Sequence, residues 1–180
     1  MGIHPISGIP AAPGRLNLTQ WSRLRFRTPV ENIARLIALA GKRLALTPDG
    51  RGNGLQIGVP EIHPLTPDPN LFCRYVGIKL SEAKKADLPP NREMYLTAIK
   101  LQLDTMNIRG DVWIDDNRDS HNREYSRRVI HIKQKAIVCY SAYVRNLSEE
   151  DSLRLQEVGI GGRRRMGCGL FLPIKQQMEH

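Results

Sequence analysis

The stretch Val158-Gly159-Ile160-Gly161-Gly162-Arg163-Arg164-Arg165-Met166-Gly167-Cys168-Gly169-Leu170-Phe171 constrains this chain most. It places five glycines and three consecutive arginines ahead of an apolar run that closes at Pro173. Ser148 with Asp151 three residues on marks a helix start, Leu153, Leu155 and Val158 supply its apolar contacts, and Gly159 sits at the C-cap. The predicted order is helix, glycine loop, buried strand. A dinucleotide fingerprint runs the other way, from strand into helix, and its third glycine would fall on Arg164; a Walker loop needs Gly-Lys-Ser/Thr. A loop short of Cβ atoms lets backbone approach a partner closely. With three arginines it suits an extended polyanion better than a single nucleotide.

The charge balance agrees. A net charge of +9 points to a polyanionic partner, and nucleic acid fits better than a membrane because no basic amphipathic helix stands out. No apolar run reaches the length of a membrane span, and Met1-Gly2-Ile3-His4-Pro5 has no signal-peptide core. Cys73, Cys139 and Cys168 lie scattered in apolar runs without a CxxC pair, which predicts reduced core thiols in a cytoplasmic protein. Neither a metal site nor a cofactor is expected; Asp111, Asp115, Asp116 and Asp119 read as a solvated loop.

Along the chain, Trp21 to Arg27 alternates, with Leu24 and Phe26 on one face and Arg23, Arg25 and Arg27 on a cationic outer face. Thr28-Pro29-Val30-Glu31 predicts a capped helix running to Gly41. Strands are expected at Arg43 to Leu46 and Leu55 to Val59, around the turn-rich segment Asp49 to Gly54. Four prolines from Pro60 to Pro69 form an extended connection. Beyond it come a strand from Leu71 to Leu80, a polar connection from Lys84 to Pro90, and a helix capped by Asn91. Tyr95, Ala98, Ile99, Gln102, Leu103 and Met106 stand at helical spacing. A basic segment from Asn117 to Arg128, a strand from Arg127 to Lys133, a turn at Gln134-Lys135 and a strand from Ala136 to Val144 follow. With the last helix and strand this half reads strand–helix–strand–strand–helix–strand, the ferredoxin-like order. The expected class is α+β with tandem ferredoxin-like repeats: an incomplete first repeat over 1–66, a linker over 67–70 and a second repeat over 71–180. The first half reads as a repeat without its opening strand and helix, as though Met1 fell inside it.

The glycine loop before Gly167-Cys168-Gly169-Leu170-Phe171 resembles the signature of the CRISPR repeat-processing endoribonucleases, the sixth Cas family of the RAMP superfamily. The segments Leu147 to Glu157 and Gly2 to Gly8 resemble most the myxobacterial and cyanobacterial-type branch. The resemblance implies metal-independent cleavage of precursor crRNA, in which a ribose 2′-hydroxyl attacks the adjacent phosphate and leaves a 2′,3′-cyclic phosphate. It implies a crRNA repeat stem-loop as partner, retention on the 3′ hairpin, and assembly with the Cascade backbone and other Cas subunits. Transposition proteins stay open as a further partner class.

Such chemistry needs a base for the 2′-hydroxyl. Of five histidines, His180 is terminal, His63 lies among the prolines, and His121 and His131 lie in or beside the basic segment. His4, in the segment matching the family's first repeat, is the candidate base. Arg163, Arg164 and Arg165 with Gly161 and Gly162 match the RNA-gripping loop. Arg123, Arg127, Arg128 and His131 form a second basic group, and Arg74 and Lys79 lie on the opening strand of the second repeat. The family's groove helix is often arginine-rich, whereas Arg92 to Asn107 carries only Arg92 and Lys100 as cations. With aromatics at 6%, base stacking is not expected to be the main grip, and Tyr75, Tyr125 and Tyr143 read as packing residues. Two other readings stay open: a hairpin-holding subunit that does not cut, and a basic scaffold protein of a ribonucleoprotein.

Overall fold

The computed structural model describes residues 1–12, 15–45, 54–80, 90–132 and 135–174. The turn-rich positions 49–53, the connection 84–89, Lys133, Gln134 and His180 lie outside the described residues. The chain divides into two compact units, one of Met1–Arg27 with Leu65–His180 and one of Thr28–Pro64.

The larger unit is built on an antiparallel sheet. Its strands are β7 (Leu71–Val76), β8 (Asp111–Trp113), β9 (Arg127–Ile132), β10 (Lys135–Arg145) and β11 (Leu172–Pro173). The spatial order is β11-β7-β10-β8, with β9 also on β10. Two helices, α2 (Arg92–Thr105) and α3 (Glu149–Val158), make the order β-α-β-β-β-α-β, which is the predicted ferredoxin-like order with one strand more: β8 begins at Asp111, which the sequence reads as a solvated loop and whose strand pairs with the end of β10. The fold is α+β, as expected.

Both helix starts follow from local chemistry. The Asn91 side chain accepts from Met94 N at 3.0 Å, and Ser148 Oγ accepts from Asp151 N at 3.1 Å, so each satisfies an amide that has no partner within its helix. Strand β10 is long because it serves three neighbours. Its first half pairs with β9, Tyr140 to Val144 pair with β7, and Tyr143 to Arg145 pair with β8. The β9–β10 ribbon therefore continues past the end of β7.

One face of the sheet carries the core: Leu71, Cys73, Val76, Ala142 and Val144 meet Tyr95, Ile99, Leu103 and Leu155 from the helices. Each fully buried leucine or isoleucine there contributes about 1.5–3 kcal/mol over its exposed state. The buried Tyr95 hydroxyl donates to Val138 O at 2.6 Å. The 67–70 segment, expected as a linker, is tied to α3: Ser152 Oγ donates to Asp68 O at 2.8 Å and accepts from Asp68 N at 2.9 Å. Next to it, Gln156 Nε2 donates to Thr66 O at 2.8 Å.

The opening segment belongs to this unit. Strand β1 (Gly2–Ile3) pairs antiparallel with β4 (Phe26–Arg27), and β2 (Ile9–Ala12) pairs with β3 (Arg15–Asn17). The regular strand is shorter than the alternation from Trp21 predicts, although His4 N still donates to Arg25 O at 2.9 Å and Ser7 N to Arg23 O at 3.3 Å. The cationic outer face is corrected at Arg27, which turns inward. Its guanidinium donates to Gln156 O and, at 2.8 Å, to Phe171 O. The physical reason is demand for donors: Gln156 lies in the last turn of α3, where carbonyls lack intrahelical partners.

In the smaller unit a 3₁₀ turn (Val30–Asn32) leads into a short α1 (Ile33–Ile37), and β5 (Arg43–Ala45) pairs with β6 (Gly54–Gln56). The helix is shorter than the capping signal predicts. Neither the turn nor α1 receives a side-chain cap, and neither buries a residue, so propensity alone has to hold them.

Candidate RNA-processing site

The glycine loop, Gly159 to Gly169, folds back on itself and onto the end of β7. Gly159, Gly161, Gly167 and Gly169 all have positive φ, between 67° and 82°. Three of them sit where backbone meets backbone. A Cβ on Gly159 would collide with Gly169 O, one on Gly161 with Gly77 O, and one on Gly169 with Ile160 O. Hydrogen bonds hold this crossing: Ile160 N donates to Gly169 O at 3.0 Å, Gly169 N to Tyr75 O at 2.8 Å and Gly162 N to Gly77 O at 3.1 Å. Gly161 N donates to Gln102 Oε1 at 2.8 Å. The loop glycines thus shape the protein, and their close approaches are to its own chain. Gly162 differs: it is exposed, with nothing within 4 Å of a Cβ built on it.

The arginine triplet divides by direction. Arg163, in the left-handed region at φ 61°, opens a 3₁₀ turn over Arg164–Met166. Arg163 and Arg165 are exposed. Arg164 is half-buried and turns back over the loop, its Nη2 donating to Gly161 O at 3.5 Å.

Beside this turn lies β1. A Cβ on Gly167 would stand 2.8 Å from Pro5 Cδ, and one on Gly2 would meet the Leu170 side chain at 2.6 Å. His4 is therefore held next to the loop, between a strand that packs on Leu170 and a proline that packs on Gly167. Burial pulls the His4 imidazole down from its ordinary 6.5 to about 4, and the charges of Arg27 and Arg25 push the same way. At neutral pH the ring is uncharged and able to accept a proton. Arg27 is lowered to about 10, first by burial, and stays charged.

The second basic group runs along the β9–β10 ribbon. Arg127, Val129 and His131 share its exposed face, and Arg128 is half-buried. Arg128 pairs in register with Cys139, whose thiol feels the charge of Arg163, so loop and ribbon meet. Arg123 is less available as a phosphate ligand: its Nε donates to Asp119 Oδ2 at 2.8 Å. Asp119 is held below the usual carboxylate range, first by the Arg123 backbone amide and also by the Arg123 side chain and the His121 amide. Arg74 and Lys79 are exposed on and just beyond β7; the Arg74 guanidinium lies 5.5 Å from the Tyr75 ring centroid. The three cysteines are buried and unbridged, and the Cys139 and Cys168 sulfurs both lie beside Gly77, 3.3 and 3.8 Å from where its Cβ would stand.

Sequence reasoning passed over three members of this neighbourhood: Arg25 and Arg27 around His4, and Gln102 under the loop. Gln102 carried a signal, being a polar residue on the apolar face of α2.

The burial of His4 has a stability consequence. Between pH 6.5 and 4 the unfolded chain binds a proton at His4 that the folded chain does not. Stability is therefore full above 6.5 and falls as pH drops through that window. Allowing for partial solvent screening, the loss is roughly 2 kcal/mol. Urea unfolding at pH 7 and pH 4.5 should show a larger acid destabilisation in the wild type than in His4→Gln; equal losses would refute the burial of this ring.

Among the described residues no helix is long and apolar enough to cross a membrane. The family described as Cas6 Crispr matches residues 1–176. A curated protein of Myxococcus xanthus (strain DK1622), named CRISPR-associated endonuclease Cas6, is 32% identical over 173 residues. The match takes in 96% of this chain and 65% of that relative, so the chain spans about two thirds of the relative's length. The glycine loop read from the sequence, the ferredoxin-like order around it and the match over nearly the whole chain agree: this chain belongs to the Cas6 family.

Proposed function

We propose that this chain binds a CRISPR repeat stem-loop and cuts the precursor crRNA beside it without a metal. The observation that carries the reading is an uncharged, sheltered imidazole next to a turn that exposes two guanidinium groups. His4 takes the proton of the 2′-hydroxyl, and the oxygen attacks the adjacent phosphorus. The bond to the 5′-oxygen breaks, leaving a 2′,3′-cyclic phosphate and, after proton uptake, a 5′-hydroxyl. Arg163 and Arg165 face the negative charge that grows on the phosphorane. Arg127, His131, Arg74 and Lys79 extend the basic surface along the stem, and Arg128, Arg164 and Gly161 support it from within. The Cascade backbone and other Cas subunits are the proposed partners after cleavage.

The test is repeat RNA incubated with the protein in EDTA. A cyclic-phosphate product that vanishes when the cleavage-site ribose is 2′-deoxy supports the reading. RNA that is bound tightly but left intact supports a second reading, a hairpin-holding subunit. One observation favours that second reading: a base with a pKa near 4 has little driving force for proton abstraction.

Binding makes its own prediction. If about six phosphates are contacted, log affinity should fall with log salt at a slope of roughly −4. Replacing Arg163 and Arg165 by Ala should weaken hairpin binding about tenfold or more and flatten that slope by roughly two, one per lost phosphate contact. Unchanged affinity and slope in filter binding would remove the turn from the interface.

A further inference from the structure

The face of the main sheet that points away from α2 and α3 is unusual for a half-buried sheet, whose outer side ordinarily alternates to polar residues. Register places Leu172 opposite Phe72, Phe72 opposite Tyr143, and Tyr143 opposite Trp113. Four large side chains therefore form one row across β11, β7, β10 and β8. The Phe72 and Tyr143 ring centroids are 4.6 Å apart, and those of Tyr143 and Trp113 are 5.3 Å apart. Trp113 is 39% exposed, so the row ends in solvent.

A cation borders the row. The Arg145 guanidinium lies 5.1 Å from the Trp113 ring centroid and 5.5 Å from that of Tyr143. Arg145 is exposed. The acidic residue across from Arg145, Asp111, accepts from Asn146 Nδ2 at 2.6 Å. Flat rings fixed by cross-strand packing, with a guanidinium group beside them, match unpaired nucleotides: bases stack on the rings and phosphates meet the arginine. The core needs no such row, because the buried face of the sheet already meets both helices.

We propose that this sheet face binds single-stranded RNA by stacking on Trp113 and Tyr143, with Arg145 on its phosphates. The inference rests on the reading of the chain as an RNA-binding protein and adds a second surface, on elements other than the glycine turn. It also assigns a ligand role to Tyr143, which the sequence reads as a packing residue.

The chain has two tryptophans, so a Trp21→Phe variant reports on Trp113 alone. The probe is a ten-nucleotide oligouridylate, which forms no hairpin, and its titration should quench the remaining emission. Trp113→Ala should weaken oligouridylate binding by about 5- to 150-fold, the range for one stacked base, while binding of a bare repeat hairpin changes less than twofold. Arg145→Gln, which leaves the rings in place, should weaken it as well and make it less sensitive to salt.

An unquenched Trp113, or wild-type affinity in both variants, overturns the proposal. So does sedimentation showing a concentration-dependent dimer that Trp113→Ala dissolves, which would assign the face to a second copy. Because the oligonucleotide has no stem, failure here with hairpin binding intact rejects only this surface. Loss of hairpin binding in the wild type would instead reject the function on which it rests.

Discussion

His4→Ala should slow repeat cleavage by about 10²–10³-fold in single-turnover assays while hairpin affinity stays within about threefold. A positioned base is worth about 10²–10⁴-fold, and one titrating near 4 belongs toward the lower end, since its proton affinity is small. The same low value predicts the shape of the pH profile. An ordinary histidine base would halve the rate near pH 6.5. A ring sheltered by burial and by Arg27 and Arg25 should keep the rate flat from pH 8 to about pH 5.5. Cleavage by His4→Ala at the wild-type rate would place the base elsewhere; cleavage lost together with affinity would make His4 a support of the loop.

The larger effect on folding is expected at Gly169. Its φ is 70°, where an L side chain costs about 1–2 kcal/mol, and a Cβ would collide with the Ile160 carbonyl. Relief requires separating the two strands of the loop, which breaks the Ile160 N to Gly169 O and Gly169 N to Tyr75 O bonds. Gly169→Ala should therefore lose about 3–4 kcal/mol in urea unfolding. Gly162→Ala, at an exposed position in open space, should stay within about 0.5 kcal/mol. A Gly169→Ala protein as stable as the wild type would mean that the crossing at Ile160 is not made.

These two glycines also show where sequence reasoning reached and where it stopped. Chemistry confined to a few neighbouring residues was legible. Asn91 and Ser148 bond amides three residues away, and alternation in β9 put Arg127, Val129 and His131 on one face. The glycine loop was found for the right pattern, yet close approach to a ligand was the expected use. The carbonyls it approaches are those of Gly77, Ile160 and Gly169, and Gly77 is 84 residues from Gly161. Arg27 failed for the same reason: its acceptors lie 129 and 144 residues away, so alternation could say only that it opposed Phe26. The cysteines were read as separate core residues, and only folding sets Cys139 against Cys168. The catalytic assignment drew on resemblance. The structure adds the neighbours of His4 and the shelter that keeps it uncharged.

The docking of Arg27 onto Gln156 and Phe171 has a consequence for birth on the ribosome. Arg27 is made before its two acceptors, which are synthesised more than a hundred positions later. At roughly 5–20 residues per second this leaves the opening segment waiting for about 7–30 s. Assembly of the larger unit therefore runs against the order of synthesis. The segment around Arg27 acts as a latch that closes once the last helix has left the exit tunnel, and chains cut short before Gln156 lack both of the carbonyls that Arg27 closes on.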